Sequence, residues 1–483
     1  MKPILSPLLL FCIGVELYNA NALGENRGGD ESYRKELEEE SQQLENETDA
    51  ENTKVFLEKL LNMEEKIENE LKLTPQQNEE LNFTMRNYVG MRIDHVDDNG
   101  DTIEEVNKYN RIDKALYQGD IILSQAQAEE IIEENEGNAE NRTKRQAMNL
   151  GRHRNSIWPN NRVYYTYVNA SDPAIRAFEQ AVKDWSNATC IDFYRSDTGI
   201  LKRNTASQFK KQSKQSNNNY NITYDYGGVM HYGPMIVSKN RKPVVVTHDI
   251  NYMQTLGSPI ISFYEKLMMN VHYKCNDCTK KPSANCQNGG FAHPRNCMVC
   301  ICPSGYGGDL CDRRPDGCGS VLKANESYQF LVDTVGNKSR PKDRVQFYTC
   351  NYWIEAQLGE KIEVIFDNFT KRLGAEGCKY AGVEIKTGSD KRHTGYRFCS
   401  SSNIDTRLVS TYNVVPIITY NLAAHPSTTT LRYRSIRRDA DAPKSTADPQ
   451  TSTRFPELQT TIQPTVLTTS TPSPKNLTTA TAP

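Results

Sequence analysis

The feature that most limits how this chain can fold is its cysteine content. Thirteen cysteines occur in 483 residues. Cys12 lies in an apolar run from Ile4 to Val15 that follows Lys2 and precedes Ala20-Asn21-Ala22, the small-x-small form of a signal-peptidase site. Removal of residues 1–22 as a signal peptide leaves an even set, and in the oxidising compartment that a signal peptide implies, an even set pairs into cystines. The expectation is a secreted, extracellular, multidomain protein, because single cores stop growing near about 250 residues. No other stretch approaches the roughly 20 apolar residues of a membrane span. Ten Asn-x-Ser/Thr sequons fit the same route: Asn46, Asn82, Asn141, Asn169, Asn187, Asn221, Asn325, Asn337, Asn368 and Asn476.

The net charge of −2 hides a division at Arg142-Thr143-Lys144-Arg145. Residues 23–145 carry −17 and residues 146–483 carry +15. An acidic leader could cover a basic remainder until a furin-like convertase cuts between Arg145 and Gln146, and the freed basic surface would favour anionic matrix. A merely solvated charged surface is the alternative. No nucleic-acid-binding motif accompanies the basic part. Within the leader, Phe56, Leu60, Met63, Ile67 and Leu71 at helical spacing predict an amphipathic helix over Glu31 to Leu73, ended by Pro75.

Beyond the basic run, alternation over Val163 to Val168 predicts a strand. Ser171 then caps a helix with Pro173 in its first turn and Ile175, Phe178, Val182 and Trp185 on one face. From Thr198 to Asn221 almost nothing is apolar, which is odd for the middle of a core. Cys275 to Cys311 is a short Gly- and Cys-dense module. Its Cys275-x-x-Cys278 and Cys297-x-x-Cys300 have zinc-ribbon spacing, but secretion disfavours reduced thiolates, and the glycines from Cys302 to Cys311 supply turns. Alternating runs at Val345 to Phe347, Lys361 to Phe366 and Val383 to Lys386 predict a β-sandwich, and Ser, Thr and Pro fill a disordered tail from Arg437.

Three resemblances sharpen this outline. Asn285-Cys286-Gln287-Asn288-Gly289-Gly290, followed by Cys302 to Cys311, resembles an EGF-like module. That implies pairs Cys278 to Cys297, Cys286 to Cys300 and Cys302 to Cys311. Cys318-Gly319, Cys350-Asn351-Tyr352-Trp353, Phe366-Asp367-Asn368-Phe369, Cys378-Lys379-Tyr380 and Cys399 resemble a CUB domain, implying Cys318 to Cys350 and Cys378 to Cys399. Ala381 stands where many such domains place a calcium-binding acidic residue, so that site is not carried over. Tyr224-Asp225-Tyr226-Gly227-Gly228-Val229-Met230-His231-Tyr232-Gly233 resembles the Met-turn of the astacin metalloproteases, with Gly228 in place of the usual serine. Trp158-Pro159, Trp185 with Thr189-Cys190-Ile191-Asp192-Phe193, and Asn270 to Cys275 follow in family order, implying a Cys190 to Cys275 pair. Tyr117-Gln118-Gly119-Asp120-Ile121 resembles the family's aspartate switch, in which the carboxylate of Asp120 would ligate zinc in the zymogen.

The family's hydrolysis needs three His ligands, two of them one helical turn apart, and a Glu between them. The eight histidines here are His95, His153, His231, His248, His272, His293, His393 and His425, and none has a partner at i+4. Only 39 residues lie between Cys190 and Met230, several dozen fewer than the family has. His231, His248 and His272, separated by 17 and 24 residues, match no helical ligand pair. Met230 and Tyr232, which in the family lie beneath and beside the metal, keep only a packing role. The resulting expectation is a signal peptide (1–22), a prodomain (23–145), a truncated α+β metzincin-like astacin domain (146–275), an EGF-like β module (276–312), a CUB β-sandwich (318–436) and a tail (437–483). Zinc is the family's cofactor and none is expected in this chain. Either the chain is a protease product lacking its catalytic segment, or it is a non-catalytic relative that binds matrix or other secreted proteins through its EGF-like and CUB modules.

Overall fold

The computed structural model describes residues 27–44, 49–63, 73–94, 96–117, 119–120, 122–123, 125, 128–129, 132, 157–165, 167, 172–195, 218–235, 243, 245–275, 278, 281–336 and 345–437. The expected signal peptide, the Arg145/Gln146 cleavage site, the tail beyond Arg437 and the sequons at Asn46, Asn141, Asn169, Asn337 and Asn476 lie outside them. The chain divides into Met1–Ala440 and Asp441–Pro483, and all that follows concerns the first unit.

In the leader, α1 (Arg27–Ser41) and α2 (Ala50–Asn62) bring Leu37, Phe56 and Leu57 onto one apolar cluster with Ala115, Leu123 and Ala128. The single helix expected over Glu31 to Leu73 is therefore corrected. Asp49 adopts φ 71, a left-handed turn that Asp tolerates better than most residues, and the chain reverses there so that both apolar faces share one core. The buried Thr53 hydroxyl accepts from the Leu123 amide at 2.6 Å and fastens the later segment to α2. Pro75 does not end a helix but opens α3 (Pro75–Met85). It stands at the first helical position, where its missing N–H costs nothing, behind a Thr74/Gln77 capping box. A second capping box, Thr102 with Glu105, starts α4 (Ile103–Tyr109).

The next segment is a parallel pair, β1 (Arg162–Tyr165) with β2 (Asp192–Arg195), connected through α5 (Asp172–Ala188). Ile175, Phe178, Val182 and Trp185 share a face of α5, yet all four are only half-buried. Phe178 meets Tyr165 edge-on at 4.8 Å and Tyr167 at 5.8 Å. The carbonyls that α5 leaves unpaired at its C-terminus are taken up from distant sequence. Arg295 Nε donates to Ser186 O at 2.8 Å and Thr189 O at 2.9 Å. Asn270, on α6 (Phe263–His272), donates to Ala188 O at 2.6 Å. A disulfide joins Cys190 to Cys275.

The short module is a hairpin of β3 (Phe291–His293) and β4 (Asn296–Ile301), held by Cys278–Cys297, Cys286–Cys300 and Cys302–Cys311. After it come β5 (Val321–Lys323), β6 (Gln329–Val335), β7 (Tyr348–Glu355), β8 (Lys361–Phe369), β9 (Ala381–Ile385), β10 (Tyr396–Phe398), β11 (Arg407–Val409), β12 (Val414–Asn421) and β13 (Ser427–Ile436). They form sheets ordered β10-β9-β12-β7-β5 and β11-β8-β13-β6. Ile354, Val383 and Ile417 of the first sheet share a core with Val364, Phe366 and Leu431 of the second, so the two make a sandwich. Val345 to Phe347, expected as strand, precede it: β7 begins at Tyr348. Cys318–Cys350 and Cys378–Cys399 tie this region. No described helix is long and apolar enough to cross a membrane.

Charged side chains cross the seam between the sandwich and the rest. Arg397 of β10 pairs with Glu384 of β9 at 3.0 Å, both essentially inaccessible, and its amide donates to Thr255 Oγ1 at 3.0 Å. Glu384 also accepts from Gly395 N at 3.0 Å and from Ser304 Oγ of the hairpin module at 2.7 Å. Lys386 Nζ donates to Ser304 Oγ at 3.0 Å and His393 O at 2.7 Å. Trp353 Nε1 reaches Gly305 O at 2.7 Å. Buried charges survive only when paired and hydrogen-bonded, and these are.

Candidate functional site

Residues Tyr224 to Met235 form a run of turns whose amides are held by carboxylates, Glu265 taking two of them. Ser262 and Glu265 make the capping box that starts α6, and the same Glu265 reaches across to accept from Val229 N at 3.1 Å and Met230 N at 2.9 Å. A Cβ on Gly228 would lie 2.8 Å from Glu265 Oε1. A side chain at this position would require the Glu265 carboxylate to shift from the Val229 and Met230 amides. Burial pushes the Glu265 carboxyl up, against the amides of Ser262, Met230 and Val229.

His231 is buried in this turn with both ring nitrogens engaged. Nδ1 lies 2.7 Å from Tyr232 O, and Nε2 bonds the Tyr224 hydroxyl. Burial lowers its pKa to about 4, so the ring is neutral, Nδ1 donates and Nε2 accepts. Tyr232 is buried with Val245, Met253 and Leu256, and the leader's Tyr88 packs against that cluster. Met230 is half-buried.

The leader's Asp120 comes to the same place. The turn Tyr117 to Asp120 needs the positive φ of Gly119, whose carbonyl accepts from Asn107 Nδ2 at 2.8 Å. Asp120 Oδ1 is buried with no hydrogen-bond partner, and burial followed by the nearby Glu104 pushes the carboxyl up to about 7. Burial first, then Asp120, Glu104 and Tyr117, hold the Tyr232 phenol well above its usual value. Asp120 and Tyr232, 112 positions apart in the sequence, thus share one electrostatic environment.

The donor set does not fit a zinc ion. His231 has neither nitrogen available, His272 Nδ1 is 2.9 Å from the Tyr220 hydroxyl, and His248 is exposed. Among the described residues no three His, Cys, Asp or Glu side chains gather closely enough to hold a metal ion. His95 and His153 lie outside them. The unpartnered oxygen of Asp120 is one suitable donor, and among the described residues it belongs to no such cluster.

Sequence reasoning passed over two carboxylates that organise the region. Glu265 left a signal, the Ser-x-x-Glu spacing of a capping box; Glu376 left none. Glu376 Oε1 accepts from Met235 N at 3.0 Å, linking the sandwich to the turn. It borders a cavity of about 490 Å³ lined by leader residues such as Met85 and Met91 and by Pro234, Met253 and Ile404. Burial, then Glu105, pushes its carboxyl up to about 7 from 4.5. Glu104 adds to the rise, while Lys379 and the Met235 amide oppose it. A carboxyl raised in the folded state contributes stability below its unfolded pKa that is lost as pH rises through the folded value. Leader docking is therefore expected to weaken between about pH 4.5 and about 7 and to stay level above. Hydrogen exchange over residues 88–106, corrected for intrinsic rates, should show less protection at pH 8 than at pH 5, and Glu376→Gln should shrink the difference.

The sequons at Asn82, Asn187, Asn221, Asn325 and Asn368 are all exposed.

Comparison with known proteins supplies the class. The model of the peptidase family described as Astacin matches residues 197–274. The zinc metalloproteinase nas-31 of Caenorhabditis elegans is 35% identical over 418 residues, covering 72% of this chain and 68% of that one. The zinc metalloproteinase nas-25 of the same organism is 39% identical over 211 residues, covering 42% of this chain and 52% of that one. The chain belongs to the astacin family. Among solved structures, the CUB1-EGF-CUB2 region of human MASP-1/3 shares 18% identity over 32% of this chain and 55% of that one, with a TM-score of 0.19, too low to define a common fold.

Proposed function

We propose that this chain is a secreted, non-catalytic astacin-family protein that acts by binding extracellular matrix or other secreted proteins through an EGF-like module at residues 276–312 and a CUB-type sandwich at 318–436. The observation that carries this reading is the absence from the sequence of any two histidines four residues apart, together with the occupied nitrogens of His231. An open zinc site takes three protein ligands and a base, and loss of even one group supporting a ligand costs about 10- to 100-fold in affinity or activity. Here the ligand helix itself is missing. On this reading Asp120 is a switch aspartate without a metal to release, which its influence on Tyr232 supports, and Met230 and Tyr232 serve packing.

The remaining assignments belong to the same proposal: removal of residues 1–22, cleavage of an acidic prodomain between Arg145 and Gln146, glycosylation of the sequons, and a truncated peptidase domain over 146–275. A chain purified after leader cleavage is expected to hold no stoichiometric zinc by elemental analysis. It should show no chelator-sensitive hydrolysis of casein or gelatin while still binding extracellular matrix. Stoichiometric zinc with chelator-sensitive proteolysis would favour the second reading, an active protease with an unrecognised ligand set.

A further inference from the structure

We propose that the sandwich surface around Gly374 and Lys379 is a docking site for an extended acidic segment of a partner protein, a site that the leader's own residues 91–105 fill until the leader is removed. The proposal does not depend on whether the chain binds zinc. It starts from how the leader sits. Residues 91–94 run extended along the loops 372–374 and 400–402 and are held mainly through the backbone. Asp94 N donates to Gly374 O at 2.6 Å, Arg92 N donates to Ser402 Oγ at 2.8 Å, and Arg92 O accepts from Ser400 Oγ at 3.2 Å. Recognition by main-chain bonds to an extended peptide is tolerant of sequence, so what the site demands of its occupant is shape and charge.

The charge is read by the sandwich. Arg372 N donates to Asp94 Oδ2 at 3.0 Å, Lys379 Nζ donates to Asp101 O, and the Tyr380 hydroxyl bonds the Asp101 carboxylate. Glu104, Asp101 and Glu105 of the leader, with Glu376 of the sandwich, all favour the charged form of Lys379 against its burial. Met91 adds an apolar anchor against the sandwich core.

Gly374 gives the site its built character. Its φ lies outside the left-handed region, so its own backbone has no need of glycine. A Cβ there would lie 2.6 Å from Arg92 O, whereas its next contact, Ser400 Cβ at 3.4 Å, is ordinary. The missing side chain makes room for the visiting strand and for nothing else nearby. Once the leader departs, the sandwich keeps Lys379, the Gly374 carbonyl and the Ser400 and Ser402 hydroxyls in place, since the Cys378–Cys399 disulfide fixes both loops.

The test uses the full chain carrying an inserted recognition sequence for a site-specific protease after Arg145, cleaved and freed of its leader. The probe is a fluorescent synthetic peptide of residues 88–106. The processed chain is expected to bind it saturably, at least about tenfold more tightly than the uncleaved chain, and less tightly as salt is raised. Gly374→Ala and Lys379→Glu should each weaken binding about tenfold with an unchanged thermal transition of the sandwich, and Lys379→Arg should largely restore it. A peptide with its Asp and Glu residues replaced by Asn and Gln should not compete. Equal binding to cleaved and uncleaved chains, full affinity in folded Gly374→Ala, or full affinity of the neutral peptide would each overturn the proposal. If Gly374→Ala does not fold, Lys379→Glu decides.

Discussion

Replacing Glu384 by alanine is expected to cost the sandwich about 3–5 kcal/mol, the usual penalty for removing one partner of a buried ion pair. Burial pushes the Glu384 carboxyl up, but Arg397, Lys386, the Gly395 amide and Ser304 outweigh it and hold the group below its usual range. Without it, the buried Arg397 of β10 and Lys386, which follows β9, would lose the anion they share. Because Ser304 bridges Glu384 and Lys386, the seam to the hairpin module should loosen with it. Denaturant unfolding should show the loss, and a double-mutant cycle with Arg397→Met should recover part of it, because one of the two cations is removed with the anion while Lys386 still lacks it. A Glu384→Ala chain as stable as the wild type would mean that solvent reaches these groups.

The second large effect is expected at Phe366. Its ring is fully inaccessible, stacks on Phe398 at 5.0 Å, and lies where the two sheets meet. Phe366→Ala removes its contacts and leaves a cavity, at a cost of about 3–5 kcal/mol and a fall of about 10–20 °C in the melting of the sandwich. Phe178→Ala on α5 provides the contrast. That ring is half-buried and touches chiefly Tyr165 and Tyr167, so the expected loss is a third of that or less. Calorimetry on the two variants separates a region with a closed core from one with an open face. Equal losses would show that α5 is covered by residues other than those described.

Features set by neighbours in sequence were legible before the structure. The period-two pattern from Lys361 onward marks β8, and Pro173 followed by Ile175, Phe178 and Val182 marks α5, because each pattern is a local consequence of strand or helix geometry. The leader was less legible. The helical spacing that begins at Phe56 gives no sign of a break between Ser41 and Ala50, because Leu37 and Phe56 meet only in the tertiary core. Pro75 on its own signals a helix end, its commoner role, although Thr74 and Gln77 spell a start. At the candidate site, the Met-turn was visible as a string, but the crowding at Gly228 was not: it comes from a carboxylate 37 positions away, brought in by α6. The leader's contact with the sandwich joins Arg92 to Ser402, 310 positions apart, and no periodicity records such a meeting.

The Cys190–Cys275 bridge, besides tying two ends together, also makes the scaffold tolerant of length. It spans 85 positions, and within that span Arg195 is held by β2 while the chain from Tyr220 onward is held through His272 and Glu265. The entropy of closing a loop grows only logarithmically, so doubling the connection between two such anchors adds about 0.6 kcal/mol. Adding as many residues again to the 24 between Arg195 and Tyr220 therefore costs little in closure. A frame of this kind accepts a change of length between its anchors without disturbing the disulfide-tied hairpin and sandwich that follow it.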